Sequence, residues 1–273
     1  RRTIRNVLVS LFHFVGIALL YRTFTRRHGP LTRIIVFHDI PSGPWFASLI
    51  EELMRVARVL TPEEFRSGVR DARKLNVLVT FDDGYASWIT HALPVLSMHG
   101  IRGLFFINSG MLDVSHEEGG ADSFMREKLL IRPRAPLTWE GARILMVEGH
   151  TVGGHARSHE DLSTLRDTEL RNEIVSDKKK LEAELRAPMV HFAYPFGTTS
   201  HFNDATKEAV KDAGYTHAYS AISRFVNKNN ETFDVPRMCI EDDATPRSFR
   251  LWVGGAYDIF DMIKSAIKGH VRN

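Results

Sequence analysis

Val77-Leu78-Val79-Thr80-Phe81-Asp82-Asp83-Gly84 decides how this chain is read. The apolar run has the look of a buried strand. Two adjacent carboxylates at a strand end are costly, because like charges raise one pKa unless a cation offsets the repulsion. Asp-Gly is also a common turn dipeptide, so alone the pair reads equally well as a surface turn. Its neighbours change that balance. His38 follows an apolar strand over 33–37, His155 and His159 follow one over 151–155, and Tyr194 to Gly197 end one over 190–194. Each polar cluster therefore falls where a strand ends, which in parallel α/β folds is the active-site face.

The rest of the chain alternates strand and helix. Further strands are expected at 75–81, 102–107, 215–219 and 233–240. Helices are expected at 46–60, at 86–98 with Pro94 as a kink, at 139–148, at 204–213, and where Leu170, Ile174, Leu181 and Leu185 share one face. Thr61-Pro62-Glu63-Glu64 reads as an N-cap with Pro at the first helical position. Residues 109–136 lack a period and read as a long loop with a short helix near Phe124 to Leu130. This alternation predicts a parallel α/β architecture, either a barrel or a doubly wound sheet. The simplest division is an N-terminal helical appendage over 1–29, a catalytic domain over 30–246 and a helical tail over 247–273.

Composition narrows the function. The 273 residues carry a net charge of +3, too little for a nucleic-acid surface, and no basic stripe with interleaved aromatics is present. Cys239 is the single cysteine, so neither an intrachain disulfide nor a cysteine-rich zinc site can form. The 13 histidines direct attention to His and carboxylate ligands. At the N-terminus, residues 6–21 are mostly apolar between Arg5 and Arg22. That is short against the roughly 20 residues of a spanning helix. No small-residue cleavage site follows, which argues against a cleaved signal peptide. An interfacial helix fits best; a signal anchor and a helix docked on the protein's own core are the other readings.

His155 and His159 are four apart, so on one helical turn both imidazoles would face the same way. The second residue is Ala156, not the Glu of HExxH zinc proteases. Two His and one carboxylate make an open metal site. Either His alone also reads as a hydrogen-bonded structural residue. A metal explains the doubled carboxylate: one Asp holds the cation, and its neighbour stays free as a base.

Thr80-Phe-Asp-Asp-Gly84, His155-x-x-x-His159 and Phe192-Ala-Tyr-Pro-Phe-Gly197, in this order, resemble the polysaccharide deacetylase (NodB-homology, carbohydrate esterase family 4) family over roughly residues 31–240. The resemblance implies a distorted (β/α)7 barrel, with the N-terminal helix as an appendage. It implies removal of acetyl groups from an N-acetylated glycan with a divalent metal, most often zinc, with nickel, cobalt or manganese as the other choices. Asp82 is implied as general base toward a metal-bound water, Asp83, His155 and His159 as metal ligands, and the Phe196 N–H as an oxyanion donor. Tyr194, Pro195 and Trp139 are candidate substrate contacts, though Tyr194 and Trp139 also read as packing residues.

Departures are informative. Ala156 stands where the family usually has Ser or Thr, so the brace of that loop must differ. Ala193-Tyr194-Pro195 replaces an Arg-led motif, as in the branch resembling exopolysaccharide and biofilm-glycan deacetylases. The late leucine-x-histidine motif, source of the general acid, is not evident. His38 is the candidate replacement and Arg237 the candidate partner of Asp82; a backbone-bonded His and a surface Arg are the alternatives. The N-terminal helix points to a substrate near a membrane in the bacterial cell envelope, such as a lipid-linked sugar or nascent exopolysaccharide. Two other functions fit: a metal amidohydrolase acting on a non-glycan amide or formamido sugar, and a catalytically silent glycan-binding module.

Overall fold

The computed structural model describes residues 16–27, 29–226 and 232–258. Among the described residues eight strands follow one another: β1 (Thr32–Phe37), β2 (Ala57–Leu60), β3 (Leu75–Phe81), β4 (Leu104–Ile107), β5 (Thr151–Gly154), β6 (His191–Ala193), β7 (His217–Tyr219) and β8 (Met238–Cys239). They form one sheet in the order β7-β6-β5-β4-β3-β1-β8, with β2 also on β3. All the strand pairs are parallel. β1 covers one edge of β3 from Asn76 to Phe81. β2 and β4 therefore share its other edge, β2 on Leu75 to Leu78 and β4 on Thr80 and Phe81.

The sheet curls until its ends meet. Tyr219 of β7 bridges Val235, just before β8, and the Val235 N–H donates to the Ala218 carbonyl at 2.9 Å. Alternate side chains fill the interior: Ile34, Leu78, Leu104, Phe106, Tyr219 and Val235 form one buried cluster. Their strand neighbours face the helices in the larger cluster, where Phe81 and Phe105 stack at 4.3 Å. Such a pair adds about 0.5–1.5 kcal/mol beyond its burial. This is the distorted barrel that the family resemblance implied, with helices outside and the strand C-termini gathered at one end.

Several boundaries differ from expectation. The helix expected to run to Leu60 ends at Val56, and Ala57–Leu60 is β2. Ala-Arg-Val-Leu continues a helical pattern, and pairing with β3 overrides it. Trp88–Ala92 is a π turn leading into the helix Leu93–Met98, with Pro94 in its first turn. The expected long loop contains two helices, Ser109–Asp113 and Gly120–Glu127. The expected cap at Thr61 is present, the Glu64 N–H donating to Thr61 Oγ1 at 3.1 Å, and Thr138 caps the helix that follows it in the same way, accepting the Gly141 N–H at 3.1 Å.

The N-terminal helix runs Ile17–Arg26. The Tyr21 ring packs on Phe225 at 5.6 Å, and Arg26 donates to the Arg73 carbonyl at 2.7 Å. Leu20 and Phe24 lie 70% and 59% exposed. Residues 1–15 and 28 of the expected appendage fall outside the described residues. No described helix is long and apolar enough to cross a membrane. The helix Pro246–Val253, at the start of the expected tail, buries Phe249, Leu251 and Trp252 in the main core. Beyond it, Asp258 closes on Arg33 of β1 at 2.6 Å.

Candidate active site

Asp82 and Asp83 leave β3 in different directions. The Asp82 N–H stays in the sheet, donating to the Phe37 carbonyl at 3.0 Å. Its carboxylate meets the Arg237 guanidinium in a bidentate pair, Nη1 to Oδ1 and Nη2 to Oδ2, both 2.7 Å. Arg237 is fully buried inside the barrel, 4.9 Å over the Phe106 ring, and its Nε donates to the Ser220 carbonyl at 3.0 Å. Burial alone would push the Asp82 carboxyl up; Arg237 and then His155 outweigh it and hold it below the ordinary carboxylate range.

Asp83 takes positive φ (84°), which turns its side chain from Arg237 toward the histidines. Its Oδ1 lies 3.5 Å from His155 Nε2 and 3.6 Å from His159 Nε2, and its Oδ2 accepts from the Tyr85 hydroxyl at 2.8 Å. Burial raises this carboxyl too, but His155, His38 and His159 outweigh it and hold the pKa far below the usual value.

Both rings are oriented from behind. His155 Nδ1 is 2.8 Å from the Ala193 carbonyl, and His159 Nδ1 is 3.3 Å from that of Lys128. A carbonyl only accepts, so each Nδ1 carries the proton, and Nε2 is the ring atom turned to Asp83. One ligand atom from each of Asp83, His155 and His159 lies within 4.8 Å of the others. All three residues are buried, and two imidazoles with one carboxylate suit a divalent cation, so the donor set fits a metal. Burial works against charge on His155, yet Asp82 and Asp83 hold its pKa above the ordinary value. Burial lowers His159 to about 4, with Asp83 opposing the shift.

The histidines converge by a different route from the one expected. Residues 155–159 are not a helical turn; Ala156 (φ 59°) and His159 (φ 52°) are left-handed. Among the described residues six non-glycines take positive φ, and four of them, Asp83, Ala156, His159 and Phe196, meet here. Strained backbone of this kind persists where surrounding structure over-determines it. The Phe196 ring stands edge-on to His159 at 4.6 Å.

A cavity of about 230 Å³ lies over these groups, lined by His38, Asp82, Asp83, His155, His159 and Phe196 among others. His38, Tyr85, Ile131 and Cys239 also line a neighbouring cavity of about 480 Å³, which reaches Arg132, Arg134, Glu241 and Asp242. Together they form one groove. Tyr194 forms part of the first wall, but its ring stacks on Phe202 at 4.3 Å and its hydroxyl donates to the Phe233 carbonyl at 2.8 Å. It is tied into the core, which leaves its faces little freedom to meet a sugar. Pro195 is buried, and its carbonyl accepts the Gly197 N–H at 2.6 Å. Trp139 is not among the lining residues of either cavity; its Nε1 donates to Asp113 at 3.3 Å and its ring packs on the core.

Three residues of the site were not singled out from the sequence: Tyr85, Asn108 and Asp177. Tyr85 directly follows the Asp-Asp-Gly turn and gave no separate signal. Asn108 directly follows β4, where a strand-end polar residue matched the other clusters. Asp177 sits three residues after Ile174 and four before Leu181, so it interrupts the apolar stripe of its helix. That interruption was a readable sign. Its carboxylate is buried, and burial pushes it up to about 6 despite accepted hydrogen bonds.

The polysaccharide deacetylase family profile matches residues 70–218. A poly-beta-1,6-N-acetyl-D-glucosamine N-deacetylase of Staphylococcus aureus is 26% identical over 203 residues, covering 72% of this chain and 66% of the relative. This chain thus spans just under two thirds of the curated relatives it matches. Among solved structures, the fold is similar to the deacetylase PplD of Streptococcus pyogenes, with TM-score 0.68 and 18% identity over 82% of this chain and 98% of that one. It is likewise similar to IcaB of Ammonifex degensii, with TM-score 0.66 and 23% identity over 84% and 98%. The profile match covers more than half the chain and takes in Asp82, Asp83, both histidines and the turn after β6: the chain belongs to the polysaccharide deacetylase family.

Proposed function

We propose that this chain is a metal-dependent hydrolase that removes N-acetyl groups from an N-acetylated glycan, an exopolysaccharide or a lipid-linked sugar. The observation that carries the reading is the different surroundings of adjacent carboxylates: Asp82 is locked to Arg237, while Asp83 faces the Nε2 atoms of two imidazoles. Asp83, His155 and His159 would hold the cation, zinc in the first place, with nickel, cobalt or manganese as substitutes. When bound, it supplies Lewis-acid polarisation and lowers the pKa of water.

The chain's own groups supply the rest. Asp82 is ionised at neutral pH and accepts the proton of the attacking water. The Phe196 N–H is assigned as donor to the developing oxyanion; no internal acceptor takes it among the described residues. His38, in the wall of the same cavity, is assigned as the acid that protonates the leaving amine. Water adds to the acyl carbon, the C–N bond breaks, and acetate and a free amine leave.

The name of the Staphylococcus aureus relative supports a β-1,6-linked N-acetylglucosamine polymer as the first glycan to try. Acetate release is measured across a glycan panel after chelation and with metal added back. Metal-restored release supports the reading; a sample that binds metal yet releases no acetate from any glycan sinks it.

The reading includes a membrane surface in the cell envelope, contacted through residues 1–28. Leu20 and Phe24, four apart and both exposed, share a helix with Arg22 and Arg26. Leu20→Asp with Phe24→Asp is expected to weaken cosedimentation with anionic vesicles, and unchanged binding would count against this contact.

A further inference from the structure

We propose that Asn108 and Asp177 clamp the His155 peptide and are positioning residues for the metal ligands. The proposal rests on the reading above, that Asp83, His155 and His159 hold a divalent cation.

Asn108 is fully buried directly after β4. Its position before the helix Ser109–Asp113 suggests an N-cap, but its side chain makes no capping bond there. Instead, Nδ2 donates to the His155 carbonyl at 2.5 Å and the Ala156 carbonyl at 2.8 Å. Its backbone N–H reaches the Asp83 carbonyl at 3.4 Å. One residue thus touches the backbone of both ligand-bearing loops.

Asp177 holds the other side. Its Oδ2 accepts the His155 N–H at 3.1 Å, which is shared with the Ile107 carbonyl at 3.1 Å, and its Oδ1 accepts the Ser109 N–H at 2.9 Å. Both ends of the His155 residue are therefore gripped, the N–H by a carboxylate and the C=O by an amide. The next link is also tied, Gly110 N–H to the Arg157 carbonyl at 3.1 Å.

The chemistry of the groups is specific. Two successive carbonyls converge on one point only because Ala156 is left-handed. A primary amide nitrogen offers two donors from one atom and so matches two carbonyl oxygens. A carboxylate of equal size would set oxygen against oxygen. Gly154 leaves room for the clamp, since a Cβ there would lie 2.9 Å from Asp177 Oδ2. The device supplies from neighbouring elements the brace that Ala156, lacking a hydroxyl, cannot supply to its own loop.

The test uses the full chain with Zn²⁺ and Co²⁺ as probes. Affinity is read by competition with a chelating dye, coordination from the visible Co²⁺ spectrum, and the metal-free fold from circular dichroism and melting. Asn108→Ala and Asn108→Asp are expected to keep the metal-free fold and bind both ions about 10–100-fold more weakly, the usual range for groups behind the ligands. The Co²⁺ spectrum should change shape, and kcat should fall more than KM rises. Asn108→Asp is decisive, because a space-filling role leaves it like wild type. Wild-type affinity in Asn108→Asp overturns the proposal. Should the Asn108 variants fail to fold, Asp177→Asn decides: weakened binding supports the clamp, and wild-type binding overturns it. A wild-type protein that takes up neither ion overturns the metal reading and this inference together. Wild-type uptake with unchanged variants overturns this inference alone.

Discussion

Arg237 and Asp82, 155 residues apart in sequence, form a two-point ion pair inside the barrel with both N–O distances at 2.7 Å. The pair favours the charged form of Asp82. Its pKa is depressed, so the carboxylate stays ionised below the ordinary carboxylate range. As folding linkage, the contribution is present above the unfolded carboxylate pKa and lost as pH falls through the depressed folded value. Arg237→Met removes the charge, so any acid limb set by Asp82 should move to higher pH in kcat/KM. Breaking such a buried pair from one side also costs about 3–5 kcal/mol, readable in urea melts. An unmoved acid limb would show that Asp82 does not titrate in the reaction.

Asp82→Asn separates proton transfer from metal binding. Asn nearly preserves the shape but cannot take a proton. Acetate release should fall about 10²–10⁴-fold, the range for loss of a positioned general base. Metal content by elemental analysis should stay near wild type, because the cluster of candidate ligands is Asp83, His155 and His159. Full activity in this variant would be incompatible with the assigned role.

On the proposed metal reading, His155 should make metal binding depend on pH. Its pKa is raised by Asp82 and Asp83 against the effect of burial, so a proton competes with the cation from above the ordinary histidine range downward. Affinity should fall as pH falls through that range, and binding should release protons. Calorimetry in buffers of different ionisation enthalpy checks this; a buffer-independent heat would argue against it.

Ala156 tests the left-handed turn. At φ 59° an L-residue sits about 1–2 kcal/mol above its right-handed state. Ala156→Gly relieves that strain at a backbone-entropy cost of roughly 0.5–1 kcal/mol, so stability should stay within about 1 kcal/mol of wild type. Ala156→Val places a β-branched residue in the same turn, fully buried, and should be clearly destabilised and lose metal affinity. A valine variant as stable as wild type would mean that the turn is not held.

The chemistry of the strand ends was legible because local pattern encodes it. An apolar run stopping at Asp82-Asp83-Gly84, histidines four apart and a Pro-Phe-Gly turn all mark the ends of parallel strands. Strand β2 was not legible, since Ala57–Leu60 pairs only because β3 offers a free half-edge. The 155–159 spacing also misled: it allows a helical turn, and the carbonyls are held left-handed by Asn108, 47 residues away.

By itself, then, the sequence determined the alternating α/β plan and placed Asp82, Asp83, His155 and His159 at strand ends, because hydrophobic period and turn chemistry are local properties. Tertiary structure decided which partners each carboxylate meets. Arg237 reaches Asp82 only when the barrel closes through Tyr219 and Val235, and Asp83 turns to the histidines only with its left-handed backbone. Those contacts join residues far apart in the chain, and no local pattern records which partner a buried charge will find.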